Sequence, residues 1–526
     1  MTVGLLPALL VACGGGGGDG GNSTVATETP VVQEPTPPEG GSGEHAADDA
    51  WYRHCYSDDT SMVAAEGPEL NASTNQLVVK MRSHASVGAF GHDRGLRDTS
   101  IDVDVLTRVV DRINSRADAN ASRGLPVRIG IKRLMSGGSA VLFTTGTEQS
   151  VAPLAAELMR EPEVDYAEPD VQVRASAQPL DPRFGDTWYL HDSDVAVRMH
   201  GAWDVTQGSR EIVTAVLDSG VTPHPDLAAN LLPGYSFVSS ALSANGVPRG
   251  PDAGDPGDWL TAEETTAGGP FHGMPVQNSS WHGTRVAGII GAVANNGIGM
   301  AGVNWYGGIL PVRVLGKGGG STSDVVDGMR WSAGIPVAGA PANPHPARIV
   351  NLSLGSIGTC SRAFQDAVDD LTAKGVTVVA AAGNHGSNAI DMPANCRGVI
   401  SVGASDETGR RAFDSNTHAR VTLSAPGAGI LSLTNDGTRA PGTASYGVAR
   451  GTSFAAPQVS GVVSLMLSVN PRLSPRDIAN ILKNTARFSA IAQTTRSCRV
   501  IPPGRGIVDA RAAVNAAASK RTGSPS

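Results

Sequence analysis

Three short segments carry side chains that could build a nucleophile at neutral pH. Ile212-Val-Thr-Ala-Val-Leu-Asp218-Ser-Gly220 is an apolar run ending in a carboxylate and a glycine turn. Ser280-Trp-His282-Gly-Thr-Arg-Val-Ala-Gly288 puts a histidine at the start of a helix rich in small residues. Gly451-Thr-Ser453-Phe-Ala-Ala-Pro457 puts a serine at the opening of the apolar helix 458–467. A serine hydroxyl attacks poorly unless a base takes its proton. Imidazole has a suitable pKa for that, and a carboxylate can hold the imidazole tautomer and stabilise its cation. The dipole at a helix N-terminus also favours developing negative charge. Each segment alone has an ordinary reading. An aspartate closing a strand is common, a lone histidine is more often structural, and a serine before a helix is usually a cap.

Together, in the order Asp, His, Ser, the three segments resemble the signatures of the subtilases. A serine that comes last departs from the α/β-hydrolase order, and a leading carboxylate departs from the chymotrypsin order. The resemblance implies a serine endopeptidase acting on protein or peptide substrates through an acyl-enzyme, with Asp218, His282 and Ser453 as its triad. Val378-Val-Ala-Ala-Ala-Gly383-Asn384 resembles the family's oxyanion motif. It implies Asn384 as side-chain donor, beside the backbone N–H of Ser453. Ser353-Leu354-Gly355 and Gly318-Gly319-Gly320 resemble the two segments that flank a substrate bound by strand addition. Ala381, Ala382 and Gly383 would then line the wall of the P1 pocket. Asp391, shortly before Pro393, is either an acid near the pocket floor, favouring Lys or Arg at P1, or a solvated loop carboxylate.

The resemblance extends to cysteines and metals. Cys360 and Cys396 are similar to a bridged pair in proteobacterial extracellular subtilases. Cys55 and Cys498 are left to pair with each other or to stay thiols. Asp226, with Asn296 and the carbonyls of Ala294, Ile298 and Met300, matches a family calcium site, and such oxygen donors suit Ca²⁺. The loop Asp252-Ala-Gly-Asp255-Pro-Gly-Asp258 is a second calcium candidate, or a solvated turn.

These residues need a scaffold. The apolar runs 212–217, 309–315, 349–354, 376–381, 399–402 and 421–424 alternate with helical patterns. This predicts an α/β fold of three layers around a mainly parallel, buried sheet, as in subtilisin. Before it, strand-like 76–82, a helix over 101–121, strands at 126–131 and 139–145, a helix over 151–161 and a strand over 164–174 follow the order β-α-β-β-α-β. That predicts a small α+β, ferredoxin-like module. Its position resembles the propeptide that chaperones and inhibits subtilases, with self-cleavage between about Arg174 and Gln178.

The chain has 526 residues, 17% charged and 40% hydrophobic, with 65 glycines and a net charge of −8. The acidic balance and the lack of a basic run argue against a nucleic-acid partner. Gly-Leu-Leu-Pro-Ala-Leu-Leu-Val-Ala before Cys13 is too short to span a bilayer. It resembles a lipoprotein signal, which implies lipid on Cys13 of the precursor, although no Lys or Arg precedes it as a signal should have. The expected organisation is a signal at 1–13, a Gly/Pro-rich linker at 14–72, a propeptide at 73–175, a catalytic domain at 176–518 and a disordered tail at 519–526. The mature enzyme is expected to be a secreted monomer.

Overall fold

The computed structural model describes residues 11–12, 75–82, 102–119, 128–135, 139–145, 151–170, 177–489 and 502–522. The linker, Cys13, Cys55, Cys498, residues 174–176 of the cleavage window and the last four residues lie outside these. The chain divides into two units, Pro68–Ala175 and Met1–Gly67 with Ser176–Ser526.

Seven parallel strands form the centre of the larger unit. In spatial order they are Leu423–Pro426, Ile400–Ser405, Thr377–Ala381, Ile349–Leu352, Val213–Asp218, Gly308–Arg313 and Tyr235–Ser236. Successive residues of Thr377–Ala381 point to opposite faces. Val379 and Ala381 enter one core cluster, and Val378 and Ala380 enter the other. Helices His282–Gly291 and Thr452–Val469 contribute to the first cluster; Thr322–Ser332 and Arg362–Ala373 contribute to the second. Both faces of the sheet are therefore covered, which is why its strands read as unbroken apolar runs. Thr452–Val469 is long and apolar enough to cross a membrane by composition, but it is buried as the central helix of this layer. The last helix, Ala510–Thr522, extends past the expected end of the domain at 518, and Ala513, Val514 and Ala517 are buried against the core.

The topology gathers the candidate residues at one end. Asp218 closes its strand. Ser353-Leu354-Gly355, Asn384 and Gly318–Gly320 follow the carboxyl ends of the three neighbouring strands. In open parallel sheets this is the end where chemistry is placed.

The smaller unit runs strand, helix, strand, strand, helix, strand. Its four strands lie in the order Arg128–Met135, Ser139–Thr145, Gln76–Met81 and Val164–Pro169. Leu106, Val109 and Ile113 of helix Val103–Ala119 pack on Leu77 and Val79 of the sheet.

Candidate active site

The strand Val213–Asp218 delivers a carboxylate that is 1% exposed, and the helix that follows delivers an imidazole equally buried. His282 Nδ1 lies 2.8 Å from Asp218 Oδ1, which also accepts the Ser219 N–H at 2.8 Å. Burial alone would lower the His282 pKa. The charge and hydrogen bond of Asp218, with a further push from Asp258, outweigh burial and hold it above its usual 6.5. His282 Nε2 is buried and makes no hydrogen bond among the described residues. The helix can approach this closely because residue 283 is glycine: a Cβ there would stand 2.1 Å from the Gly220 carbonyl oxygen. Its first turn is capped from outside. Gly283 N–H donates to Ser219 Oγ, and Ser219 Oγ donates to Asp255. Trp281, before the histidine, adopts φ +50° and is held through its indole N–H on the Gly437 carbonyl.

Ser453 opens the helix that packs on the His282 helix, and the Phe454 ring centroid lies 5.2 Å from the imidazole centroid. The Ser453 hydroxyl donates to the Ser353 carbonyl at 3.2 Å, while Ser353 Oγ donates to the Ser453 carbonyl at 2.7 Å. Beside it, Asn384 Oδ1 accepts from both the N–H and the hydroxyl of Thr452, each at 2.8 Å. That fixes the amide and makes Nδ2 its donor end. A buried acid–base pair, a hydroxyl at the start of the adjoining helix and an amide donor beside it are the groups that acyl transfer needs.

Residues 209–520 match the subtilase peptidase family. The chain belongs to that family. A subtilase is a serine endopeptidase, and this is the chain's activity class. It is 42% identical over 408 residues to an extracellular protease of Xanthomonas campestris pv. campestris, covering 76% of this chain and 68% of the relative. It is 43% identical over 363 residues to an extracellular basic protease of Dichelobacter nodosus, covering 68% of this chain and 58% of that relative, under two thirds of its length. A solved protease structure from Pseudoalteromonas arctica superposes with a TM-score of 0.60 at 45% identity, covering 65% of this chain and all of that one.

Other expected positions of this subtilase are placed with mixed outcome. Leu354–Gly355 is a two-residue strand that pairs antiparallel with Val11–Ala12, so this edge takes an added strand. Gly318–Gly320 is not an open edge. Gly316 and Gly319 close a turn on each other, Gly318 and Gly319 have positive φ, and Phe271 covers Gly318. Cys360 and Cys396 are bridged, with Cα atoms 5.1 Å apart.

The Asp252–Asp258 loop does not gather its carboxylates. Asp252 accepts from Gly254 N–H, Asp255 from Ser219 and Gly257, and Asp258 from the N–H and hydroxyl of Ser280. Local donors satisfy the charges singly, and two of the three acids support the His282 segment instead. Asp255 is pushed up to about 7, first by burial and then by Asp258.

At Asp226 the sequence missed a second carboxylate. Asp181 accepts the N–H groups of Asn295 and Asn296, while Asp226 accepts from Asn296 Nδ2, Met300 N–H and the Tyr446 hydroxyl. Ala294 and Ile298 lie on the same loop. Burial, and more weakly Asp181, push Asp226 up to about 6. Among the described residues no three His, Cys, Asp or Glu side chains form a metal cluster. Asp181, Asp226, Asn296 and the carbonyls of the 294–300 loop bring together oxygen donors of the kind Ca²⁺ takes, with each carboxylate oxygen here accepting an N–H or O–H. Also missed were Thr452 and Arg313, a buried cation from the strand beside Asp218 whose Nε donates to the Ser219 carbonyl. Their only signal in the sequence is adjacency to a motif or to a strand end.

Proposed function

We propose that this subtilase is a secreted endopeptidase, made as an inhibited precursor, that cuts proteins through an acyl-enzyme with Ser453 as nucleophile. The observation that carries the reading is the buried His282–Asp218 hydrogen bond, with an Nε2 that makes no hydrogen bond among the described residues. A substrate strand pairs with Leu354–Gly355. The Ser453 hydroxyl leaves its resting acceptor, gives its proton to His282 Nε2 and attacks the carbonyl carbon. Asp218 steadies the imidazolium, and Asn384 Nδ2 with the Ser453 N–H receives the oxyanion. His282 then protonates the leaving amine, and water releases the acyl group by the same route.

The unit Pro68–Ala175 serves as propeptide, cut from the enzyme between about Arg174 and Gln178. Relatives named as extracellular proteases support secretion. If Cys13 carries lipid, that cut detaches the mature enzyme from it. Ca²⁺ would be held by Asp226, Asp181, Asn296 and neighbouring carbonyls, and would supply positive charge between two carboxylates. The mature enzyme acts as a monomer.

The test compares wild type with Ser453→Ala. Wild type should shorten by about the first 175 residues and degrade casein, while the variant stays full-length and inert. Equal shortening of both would remove Ser453 as nucleophile.

A further inference from the structure

We infer that the P1 pocket of this enzyme takes a basic side chain, Lys or Arg, whose cation pairs with the carboxylate of Asp391. The inference rests on the endopeptidase reading and names the substrate class of that site.

Asp391 is 3% exposed, yet it is not in the general core. It lies between the two segments that would wall a P1 side chain. Its N–H donates to the Ala382 carbonyl at 3.0 Å. The next residue, Met392, exchanges backbone hydrogen bonds with Ser356, one past Gly355. The acid's side chain occupies space that both walls leave open by being glycine. A Cβ on Gly383 would fall 2.4 Å from Asp391 Oδ2, and a Cβ on Gly355 would fall 3.2 Å from the Asp391 Cβ. Gly383 also holds φ +108°, where other residues are strained.

The carboxylate is only half satisfied. Oδ1 accepts from Asn416 Nδ2 at 3.2 Å. Oδ2 has only His385 Nε2 beside it, at 3.2 Å, on a ring that is 47% exposed and is a cation only when protonated. Among the described residues no Lys or Arg pairs with it. A buried carboxylate lacking a permanent cation is costly, and a cation brought by a ligand offsets that cost. A wall of Ala381, Ala382 and Gly383 needs no acid to accept an apolar side chain. Asn416 is itself held in place, since its Oδ1 accepts from His385 N–H and Ser387 N–H while its Nδ2 donates to the Ala382 carbonyl as well as to Asp391. The Cys360–Cys396 bridge and the hydrogen bond from Asn395 Nδ2 to the Gly358 carbonyl tie the two loops together, so the carboxylate is preorganised. His385 sits at the exposed end and must give way to the incoming cation.

The experiment compares kcat/KM on peptides identical except for Arg, Lys, Leu or Phe at P1, for wild type and Asp391→Asn. Wild type should favour Arg and Lys over Leu by tenfold or more. Asp391→Asn should lower the Arg-over-Leu ratio by roughly 10- to 100-fold, the range for losing a charge-assisted hydrogen bond. Benzamidine, a mimic of the arginine head, provides a readout without catalysis. It should bind Ser453→Ala and lose affinity for Ser453→Ala/Asp391→Asn. A wild type that prefers Leu or Phe, an Asp391→Asn variant that loses all four substrates in equal proportion, or benzamidine binding indifferent to Asp391 would overturn the assignment. If wild type cleaves no peptide while benzamidine still binds through Asp391, the endopeptidase reading fails and the pocket assignment stands. Should Asp391→Asn not fold, the wild-type P1 ranking decides.

Discussion

Asn384 has its carbonyl oxygen committed to two Thr452 donors, so its function is directional. Asn384→Leu keeps the volume and removes the donor. It should lower kcat by about 10²–10³ with KM little changed, because the interaction is made mainly in the transition state. A matched fall in binding instead of kcat would assign Asn384 to ground-state contact. Asp258 acts at longer range. The charged groups that bear on His282 are Asp218 and Asp258, which raise its pKa, and Arg285, which lowers it. On the proposed mechanism activity needs the neutral imidazole. Asp258→Asn should therefore move the acid limb of the kcat/KM profile to lower pH, and an unmoved limb would leave Asp258 as a support for Ser280 alone. That Asp218, His282, Ser453 and Asn384 would be brought to one end of the sheet was legible in the sequence because type and neighbours coincide in each motif. For Asp255 and Asp258 the sequence left a calcium loop and a solvated turn open, because clustered acids look alike until their donors are known. Ser219 and Ser280 carry no sequence mark of the hydrogen bonds they make.

At the scale of elements, the parallel strands were legible because burial on both faces leaves apolar runs that no solvent face interrupts. The turn at Gly316–Gly319 was not. Three glycines can lie extended or curl, and the side chain that selects the curl, Phe271, belongs to a segment with no periodicity of its own. The cysteine pair joins the loop after Leu354–Gly355 to the loop after Asp391, across a sequence separation of 36. Replacing both cysteines by serine should cost about 2–4 kcal/mol of stability. It should also blunt P1 discrimination, since the two walls and the acid between them lose their tether. Chemical denaturation of the Ser453→Ala background gives the first quantity without self-digestion. Unchanged stability would mean that hydrogen bonds between the loops suffice.

For the whole molecule, two raised carboxylates and His282 tie stability to pH in the sense opposite to activity, and His224, held below 6.5 by burial, works against them. Asp226 and Asp255 are carboxylates held near 6 and 7, above their usual 3.8. The folded state binds their protons more tightly than the unfolded chain does. Their contribution to stability is therefore greatest below about 4 and is lost as pH rises through 6 and 7. The His282–Asp218 pair has the same sign, since a raised histidine stabilises below 6.5 and less above its folded value. On the proposed mechanism catalysis requires His282 to be neutral, so turnover should rise through the range in which these groups stabilise least. A divalent cation held at Asp226 and Asp181, as proposed, would reverse one of the terms, because it would favour the ionised carboxylates and bind the folded state. Thermal unfolding of Ser453→Ala in chelator should give a lower Tm at pH 8 than at pH 5. Added Ca²⁺ should raise Tm more at pH 8 than at pH 5, and Asp226→Asn should remove most of that rise. A calcium effect equal at both pH values, or one that survives Asp226→Asn, would place the cation elsewhere and leave the Asp226 carboxylate to the N–H groups of its own loop.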